Sequence, residues 1–375
     1  MPRVTKLALD DLDQHLIEAW LTLEGRALES NAFLSPNFIL PAVRHLTPDA
    51  QPIVLAIHTD SDAPGSLIGL GVFDECTASA ALPLPHLKAH DSIHTFMDGL
   101  LVDASCARPA VTAFFEFLRS QDRWHGVHFS QCRADSPQSQ LMEELAGQCD
   151  TPLCTVREWE RAVIIPSGVT PNYMRELYSP SRRKSFRRAQ NKLERMGIVA
   201  LEVHRCGTQH DVHSETFLEL EAMGWKGDER SALLSQAREA SFFRAMSRGF
   251  AASERAVFIE LTLDGTPIFA SSNYLSGTEC FGFKSGWHPD YRDGSPGRQG
   301  ELLTLASAPA EFHDIAVLDS CSEPGQYIDA VWPWRRRMSS RLFTATSVAH
   351  RASAVTTKLL RLKRRLTRNS TVRDS

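Results

Sequence analysis

The order in which this sequence sets out its elements constrains the fold most, because that order occurs twice. In the second half, "SERAVFIELTL" and "TPIFASSNYL" flank the dipeptide Asp264-Gly265. An Asp-Gly pair between two apolar runs specifies a tight hairpin. "TECFGFKSGW" follows as a strand, then a glycine-rich turn, a helical stretch, the strand "DIAVLDS", and "EPGQYIDAVW" as the start of a further helix. The first half opens with an amphipathic helix over residues 12–27. "QPIVLAIHTD" and "GSLIGLGVFD" then form strands around a polar turn at 60–66, and "IHTFMDGLLVD" reads as another strand. "RPAVTAFFEFLRSQ" is a helix with Pro109 near its first turn, "GVHFSQ" a strand, "PQSQLMEELAGQ" a helix, and "REWERAVIIP" a strand closing the unit. Each half thus reads hairpin, strand, helix, strand, a mixed α/β series. A chain of 375 residues has room for two such domains. The boundaries expected are 1–170, 171–345 and a basic C-terminal tail, 346–375.

Bulk chemistry narrows the function classes. The net charge of −4 exerts no global pull toward nucleic acid, and no DNA partner is expected. Eight cysteines are scattered without a C-x-x-C, and no His/Cys group has zinc-ligand spacing, so reduced thiols and no metal are expected. The amino-terminal stretch carries early acids and no apolar signal core, and no apolar run reaches bilayer length. The expected location is the cytoplasm.

The turn "YRDGSPGRQGELLTLASA" runs from Tyr291 to Ala308. A helix start offers unpaired N–H groups and the positive end of a dipole, and glycines ahead of it let an anion reach the backbone. Gly294 and Gly297 free the chain, Pro296 stiffens it, and Arg292 and Arg298 add charge. A plain loop is the competing reading. No G-K-[ST] follows, which excludes a P-loop, and no acidic strand end stands at the distance a dinucleotide fold requires. Between the halves, "YSPSRRKSFRRAQNKLERMG" reads as a helix capped by Ser179 or Ser181. It carries Arg182, Arg183, Lys184, Arg187, Arg188, Lys192 and Arg195 against the single acid Glu194.

The series hairpin, strand, glycine turn, helix, strand resembles the GNAT superfamily of acyltransferases, whose turn reads Gln/Arg-x-x-Gly-x-Gly/Ala. Here it reads Arg292-Asp293-Gly294-Ser295-Pro296-Gly297, with Ser295 where the family has its middle glycine. "RRKSFRRAQNKLERMG", "GWKG" at 224–227, "LDGTPI", "FKSGW" and "SPG" together resemble the branch of CelD-type acetyltransferases of cellulose biosynthesis, over roughly 178–334. That branch is similar to the Fem peptidoglycan-bridge transferases, which pair two GNAT-like domains. One departure is that Tyr327 is followed by Ile328 where the branch often has Lys.

The resemblance implies an α/β fold of two tandem GNAT-like domains, each a mixed central sheet flanked by helices. The second binds acyl-CoA; the first has "VDASCARPAV" in place of the glycine turn and is expected to lack that site. It further implies a pyrophosphate cradle at Arg292, Gly294, Ser295, Gly297 and Arg298, and Tyr327 as the acid for the departing thiolate. Asp319 and Glu323 are candidate bases, with capping of a strand end or helix as the alternative for each. Lys284 is a candidate for holding an acceptor anion, with a solvated strand lysine as the alternative. Trp225 and Lys226 are candidates for walling the acceptor groove, against simple core packing of Trp225. His288 is a further candidate base, against a loop-shaping role beside Pro289. The basic helix 182–195 admits a solvated face, contact with phosphates or an acidic acyl-carrier protein, or contact with RNA, since Fem relatives use aminoacyl-tRNA. The tail, mixing leucines with basic residues, admits a membrane surface or a frayed helix end. The function expected is N-acyl transfer from acetyl- or longer acyl-CoA to an amine on a sugar, amino acid or cell-envelope precursor. A Fem-like transferase using aminoacyl-tRNA, and a non-catalytic scaffold in polysaccharide synthesis, are the alternatives.

Overall fold

A computed structural model describes residues 2–59, 66–207, 209–223 and 232–371, with backbone alone at 206 and 361–371. The first half contains β1 (Arg3–Ala8), α1 (Gln14–Gly25), α2 (Pro36–His45), β2 (Ile53–His58), β3 (Leu67–Cys76), β4 (His86–Ala89) and β5 (Leu101–Val102). It continues through α3 (Ala107–Ser120), β6 (Gly126–Arg133), α4 (Pro137–Gln148) and β7 (Leu153–Ile164). The second half contains α5 (Tyr173–Leu177), α6 (Pro180–Glu194), β8 (Val199–Cys206), α7 (His210–Ala222), α8 (Ala237–Ala252), β9 (Ala256–Leu263), β10 (Thr266–Ser276) and β11 (Glu279–Trp287). It ends with α9 (Pro296–Glu311), β12 (Val317–Asp319), β13 (Trp334–Thr344) and α10 (Ser347–Thr371).

Local chemistry accounts for most of these boundaries. Ser35, Ser136 and Ser179 each cap a helix whose first residue is proline. Asp264 and Gly265 both take positive φ, as a two-residue hairpin between β9 and β10 requires. Two expected elements are shorter than their sequence suggests. "IHTFMDGLLVD" forms only the two-residue strand β5, and "EPGQYIDAVW" forms a single 3-10 turn over Tyr327–Ala330 rather than a helix. The tail is helical, and α10 docks on the sheet through buried Ala349 and the contact of Cys154 Sγ with Thr357 Oγ1 at 3.2 Å.

The strands form one mixed sheet in the order β1-β2-β3-β4-β6-β13-β7-β12-β11-β10-β9-β8, with β5 on β3. Pairing is antiparallel except for β4 with β6 and β11 with β12. The order reads as two similar halves that exchange their final strands. β7 ends the first half but pairs with β12 of the second, and β13 ends the second half but pairs with β6 of the first. β7 and β13 pair with each other over ten residues of β13. "REWERAVIIP" therefore joins the halves rather than closing one of them.

β13 is a central strand with the sequence WRRRMSSRLFT, and its charges are buried in pairs. Arg336 donates to Asp319 Oδ2 and to Glu279 Oε2, each at 2.7 Å. Arg133 on β6 donates to Glu279 Oε1 at 3.0 Å, and Arg161 on β7 stands 3.6 Å from Asp319 Oδ1. Five adjacent strands from both halves thus contribute to one buried ion network. Replacing Arg336 by leucine strands two buried carboxylates. We expect this to destabilise the fold by about 3–5 kcal/mol in urea unfolding. Arg337→Leu, which removes an exposed pair with Glu158, should cost less than about 1 kcal/mol.

Candidate active site

β11 and β12 run side by side for only three residue pairs, Glu279–Phe281 against Val317–Asp319, and then separate. From Gly282 onward the β12-facing edge of β11 has no strand partner among the described residues. A cavity of about 680 Å³ occupies the resulting wedge. One wall is β11 from Gly282 to Trp287, and the opposite wall is the segment Ser320–Glu323 that follows β12. Gly282 eases the fit at the apex, because a Cβ there would lie a tight 3.3 Å from the carbonyl oxygens of both Asp319 and Ser320. Phe96 and Gln131 of the first half also reach the wall.

The glycine turn and α9 close one end. A 3-10 turn over Pro289–Gly294 leads into Ser295, which adopts the left-handed conformation (φ 52°, ψ 59°) and starts α9. Among the described residues no side chain caps this helix start. Arg292, Ser295, Gly297 and Arg298 line the cavity. A Cβ on Gly297 would stand 3.1 Å from Trp287 Cδ1, so glycine keeps this surface open. Gly294 serves differently: it is buried where a Cβ would collide with Leu193 of α6. α6 is seated on the turn by that contact and by Gln299 Nε2 donating to Phe186 O at 3.1 Å. Phe186, Ala189 and Leu193 form the buried stripe of α6. Among the described residues, none of its basic side chains nor Arg195 forms an ion pair, and all but Arg183 are exposed.

The other predicted residues separate into two groups. Tyr327, Lys284 and Glu323 line the same cavity as the turn. Tyr327 presents about half of its surface to solvent, but its hydroxyl is tucked into the wall 3.4 Å from Ser285 Oγ. Burial and the neighbouring Glu301 push its phenol above the usual range. Lys284 stands 3.5 Å from the buried carboxylate of Glu221. Glu323 sits on the rim, paired with Arg157 at 2.9 Å. Asp319 is fully buried, and both of its oxygens are engaged by Arg336, Arg161 and the Cys321 N–H. The arginines hold its carboxyl below the usual range, against the opposing effect of burial. His288 lies outside the cavity wall and caps the 3-10 turn, its Nδ1 accepting from Asp290 N at 3.3 Å. Trp225 and Lys226 lie outside the described residues.

The residue that sequence reasoning missed is Glu301. It is 7% exposed, lines the cavity from α9, and faces the Tyr327 hydroxyl and the Trp332 indole. The approach to Trp332 is electrostatic and looser than a direct hydrogen bond, since Trp332 Nε1 has no partner at bonding distance. Desolvation raises the Glu301 carboxyl to about 8. A signal existed: Gly297, Glu301 and Thr304 all line the cavity, the i, i+4, i+7 spacing of one helix face. Cys321 also reaches the wall. Burial and Asp319 push its thiol well up, so it is present as the un-ionised thiol at neutral pH.

Residues 180–324 match the sequence model of the family described as an acetyltransferase (GNAT) domain. The match contains the turn, Lys284, Glu301 and Glu323 and ends before Tyr327. No curated protein matches the chain. Solved structures share the fold. FemX has a TM-score of 0.54 at 10% identity, over 89% of this chain and 96% of its own. A protein of unknown function from Bacteroides thetaiotaomicron VPI-5482 has 0.54 at 10%, over 92% and 100%. The C-terminal domain of a putative lysylphosphatidylglycerol synthetase from Agrobacterium fabrum has 0.52 at 12%, over 90% and 94%. The protein therefore has an α/β fold of two GNAT-like halves, and the region similar to the acetyltransferase (GNAT) domain lies in the second.

A carboxyl with a raised folded-state pKa holds its proton more tightly folded than unfolded. Its burial therefore costs stability progressively as pH rises from about 4.5 to about 8. Glu301→Gln removes that cost. Its melting temperature should gain on the unmodified protein as pH rises through this window, with no further gain above it, as thermal melts across the range will read.

Proposed function

We propose that this protein is an N-acyltransferase of the CelD-type branch that takes its acyl group from a coenzyme A thioester and passes it to an amine. The acceptor class we favour is an amine on a sugar, amino acid or cell-envelope precursor. The observation that carries the reading is the wedge between β11 and β12, with an uncapped helix start and an open glycine at one end and a protonated tyrosine on its wall. The residues fit a pyrophosphate-bearing donor. The backbone N–H groups of Gly297 and Arg298 at the start of α9 and the side chains of Arg292 and Arg298 supply the anion-binding chemistry. A bound thioester supplies an activated acyl carbonyl. The edge of β11 beyond Gly282, which faces the cavity rather than a strand of the described residues, offers N–H groups to the carbonyl oxygen as charge builds on it.

Tyr327 keeps its proton at neutral pH and can deliver it to a departing sulfur. Glu301 behind it tunes and can replenish that proton. Glu323 on the rim is the base available to an incoming ammonium, directly or through water. Lys284, backed by Glu221, is placed to hold an anionic group of the acceptor. Asp319, which the sequence offered as a base, has in this reading a purely structural part, because its lone pairs are committed to two arginines and a backbone N–H.

A second reading, donation from aminoacyl-tRNA, is favoured by one observation. The unpaired basic face of α6 adjoins the turn and could follow a polyanionic donor.

A thermal-shift titration separates the two. Acetyl- or longer acyl-CoA should stabilise the protein by about 2.7 kcal/mol at a hundredfold excess over Kd. Gly297→Glu, which fills the cradle and adds a negative charge, should abolish the shift. No shift with any CoA would remove the thioester donor and move the tRNA reading ahead. With binding established, Tyr327→Phe should lower kcat by roughly 10²–10⁴-fold and leave the CoA shift intact.

A further inference from the structure

We propose that His204, His213 and Glu260 hold a divalent transition-metal ion, with Glu202 as a further oxygen donor, in a site separate from the cavity. The four residues converge from three elements. Glu202 and His204 alternate along β8 and so share one face. Glu260 on β9 is paired directly with Glu202 in the antiparallel ladder. α7 supplies His213. Ile259, next to Glu260 on β9, lines the cavity, so strand alternation places the metal ligands on the opposite face of the sheet.

The geometry is that of a donor set around a small cation. His213 Nδ1 lies 2.9 Å from Glu260 Oε1, and His204 Nε2 lies 3.6 Å from Glu260 Oε2 and 3.5 Å from Glu202 Oε2. The ligand atoms of the two histidines and Glu260 all fall within 4.8 Å of one another. Metal–ligand bonds of about 2.0–2.1 Å in a tetrahedron place neighbouring donors roughly 3.3–3.4 Å apart. The observed separations straddle that value. The imidazoles stack at 3.7 Å between ring centres, which brings two nitrogen donors to the same carboxylate.

Charge gives an independent reason for a cation here. Like charges directly opposite in a ladder destabilise it. Glu202 and Glu260 are such a pair, and Glu260 is buried. Among the described residues neither forms an ion pair with lysine or arginine; their charged-pair contacts are the two histidines. Two imidazoles with one or two carboxylates suit zinc, cobalt or nickel better than calcium or magnesium, which take mainly oxygen. Thr262 Oγ1 donates to Glu202 Oε1 at 3.4 Å, the kind of outer contact that orients a ligating carboxylate. Such an ion ties the start of α7 to the edge strand β8 and its neighbour β9. The far end of the same helix carries Glu221, which backs Lys284 in the cavity. The ion is therefore a structural clip for the helix behind the cavity.

The test uses the full 375-residue chain after chelator treatment. Zinc is titrated by calorimetry and cobalt by visible absorption. One ion per chain is expected, with cobalt ligand-field bands of a nitrogen–oxygen site and no thiolate charge transfer. His204→Ala and His213→Ala should each weaken zinc binding at least about tenfold. His210→Ala, whose ring bonds Ser247 at 2.7 Å and lies outside the cluster, should leave it unchanged. Glu202→Gln, at a half-exposed position that should tolerate substitution, provides a third reduction should a histidine variant fail to fold. Absence of saturable binding by the full chain, a thiolate band in the cobalt spectrum, or undiminished affinity in the folded ligand variants would overturn the proposal.

Discussion

Arg336 sits where the two halves of the protein exchange strands, and the rest of the architecture depends on its two carboxylate partners. Asp319 terminates β12 and Glu279 starts β11, so a single guanidinium fixes the two strands at the end where they are still paired. A buried arginine shared between two carboxylates holds direction as well as distance, because its donors form a rigid planar fork. Arg133 and Arg161 complete the charge balance from β6 and β7. A hydrophobic replacement of the whole network would fill the space. It would not dictate which strand lies between β6 and β7, and such a choice of register is the best-attested service of buried charge.

Past that anchored end the strands separate, and the separation opens the cavity. A strand edge released from its ladder carries backbone donors and acceptors that something must satisfy. In this wedge they face a cavity rather than another strand. The same departure from regularity recurs at Ser295, a serine in the left-handed region at the start of α9. Its strain is offset by contacts that hold the turn on α6. The candidate site is thus built from irregularities, a splay and a strained turn, that the ion network and the α6 stripe make rigid.

Electrostatics in and behind the cavity follows burial and partners. Glu323 on the rim is ion-paired and solvated, whereas Glu301, one helix turn from the glycine, is driven toward its neutral form by burial. Asp319, deeper still, is held ionised because two arginines outweigh the desolvation. Two buried carboxylates, Glu301 and Asp319, therefore differ in charge state through their surroundings, which residue type alone does not reveal.

Local signals were sufficient wherever the deciding contacts lie close in the chain. The Asp264-Gly265 hairpin, the serine-proline helix starts, the amphipathic α3 and α6, and the glycine turn before α9 each rest on conformational preferences spanning a few residues. The doubled order of elements, and with it the α/β class, was legible for the same reason. The strand β13 was not legible, because WRRRMSSRLFT reads as a charged surface until Asp319 and Glu279 are brought beside Arg336. Nor could the strand exchange be read, since β7 pairs equally well by pattern with either half. Asp319 read either as a base or as a strand-end cap, and Glu301 went unread, because charge state depends on burial and partners that only packing sets. The cluster of His204, His213 and Glu260 has no sequence spacing to recognise, for its members meet across a ladder and a helix. The sequence by itself determined most of the elements and the glycine turn before α9. Tertiary structure alone decided which charges are buried together, and therefore where the cavity opens and which side chains face it.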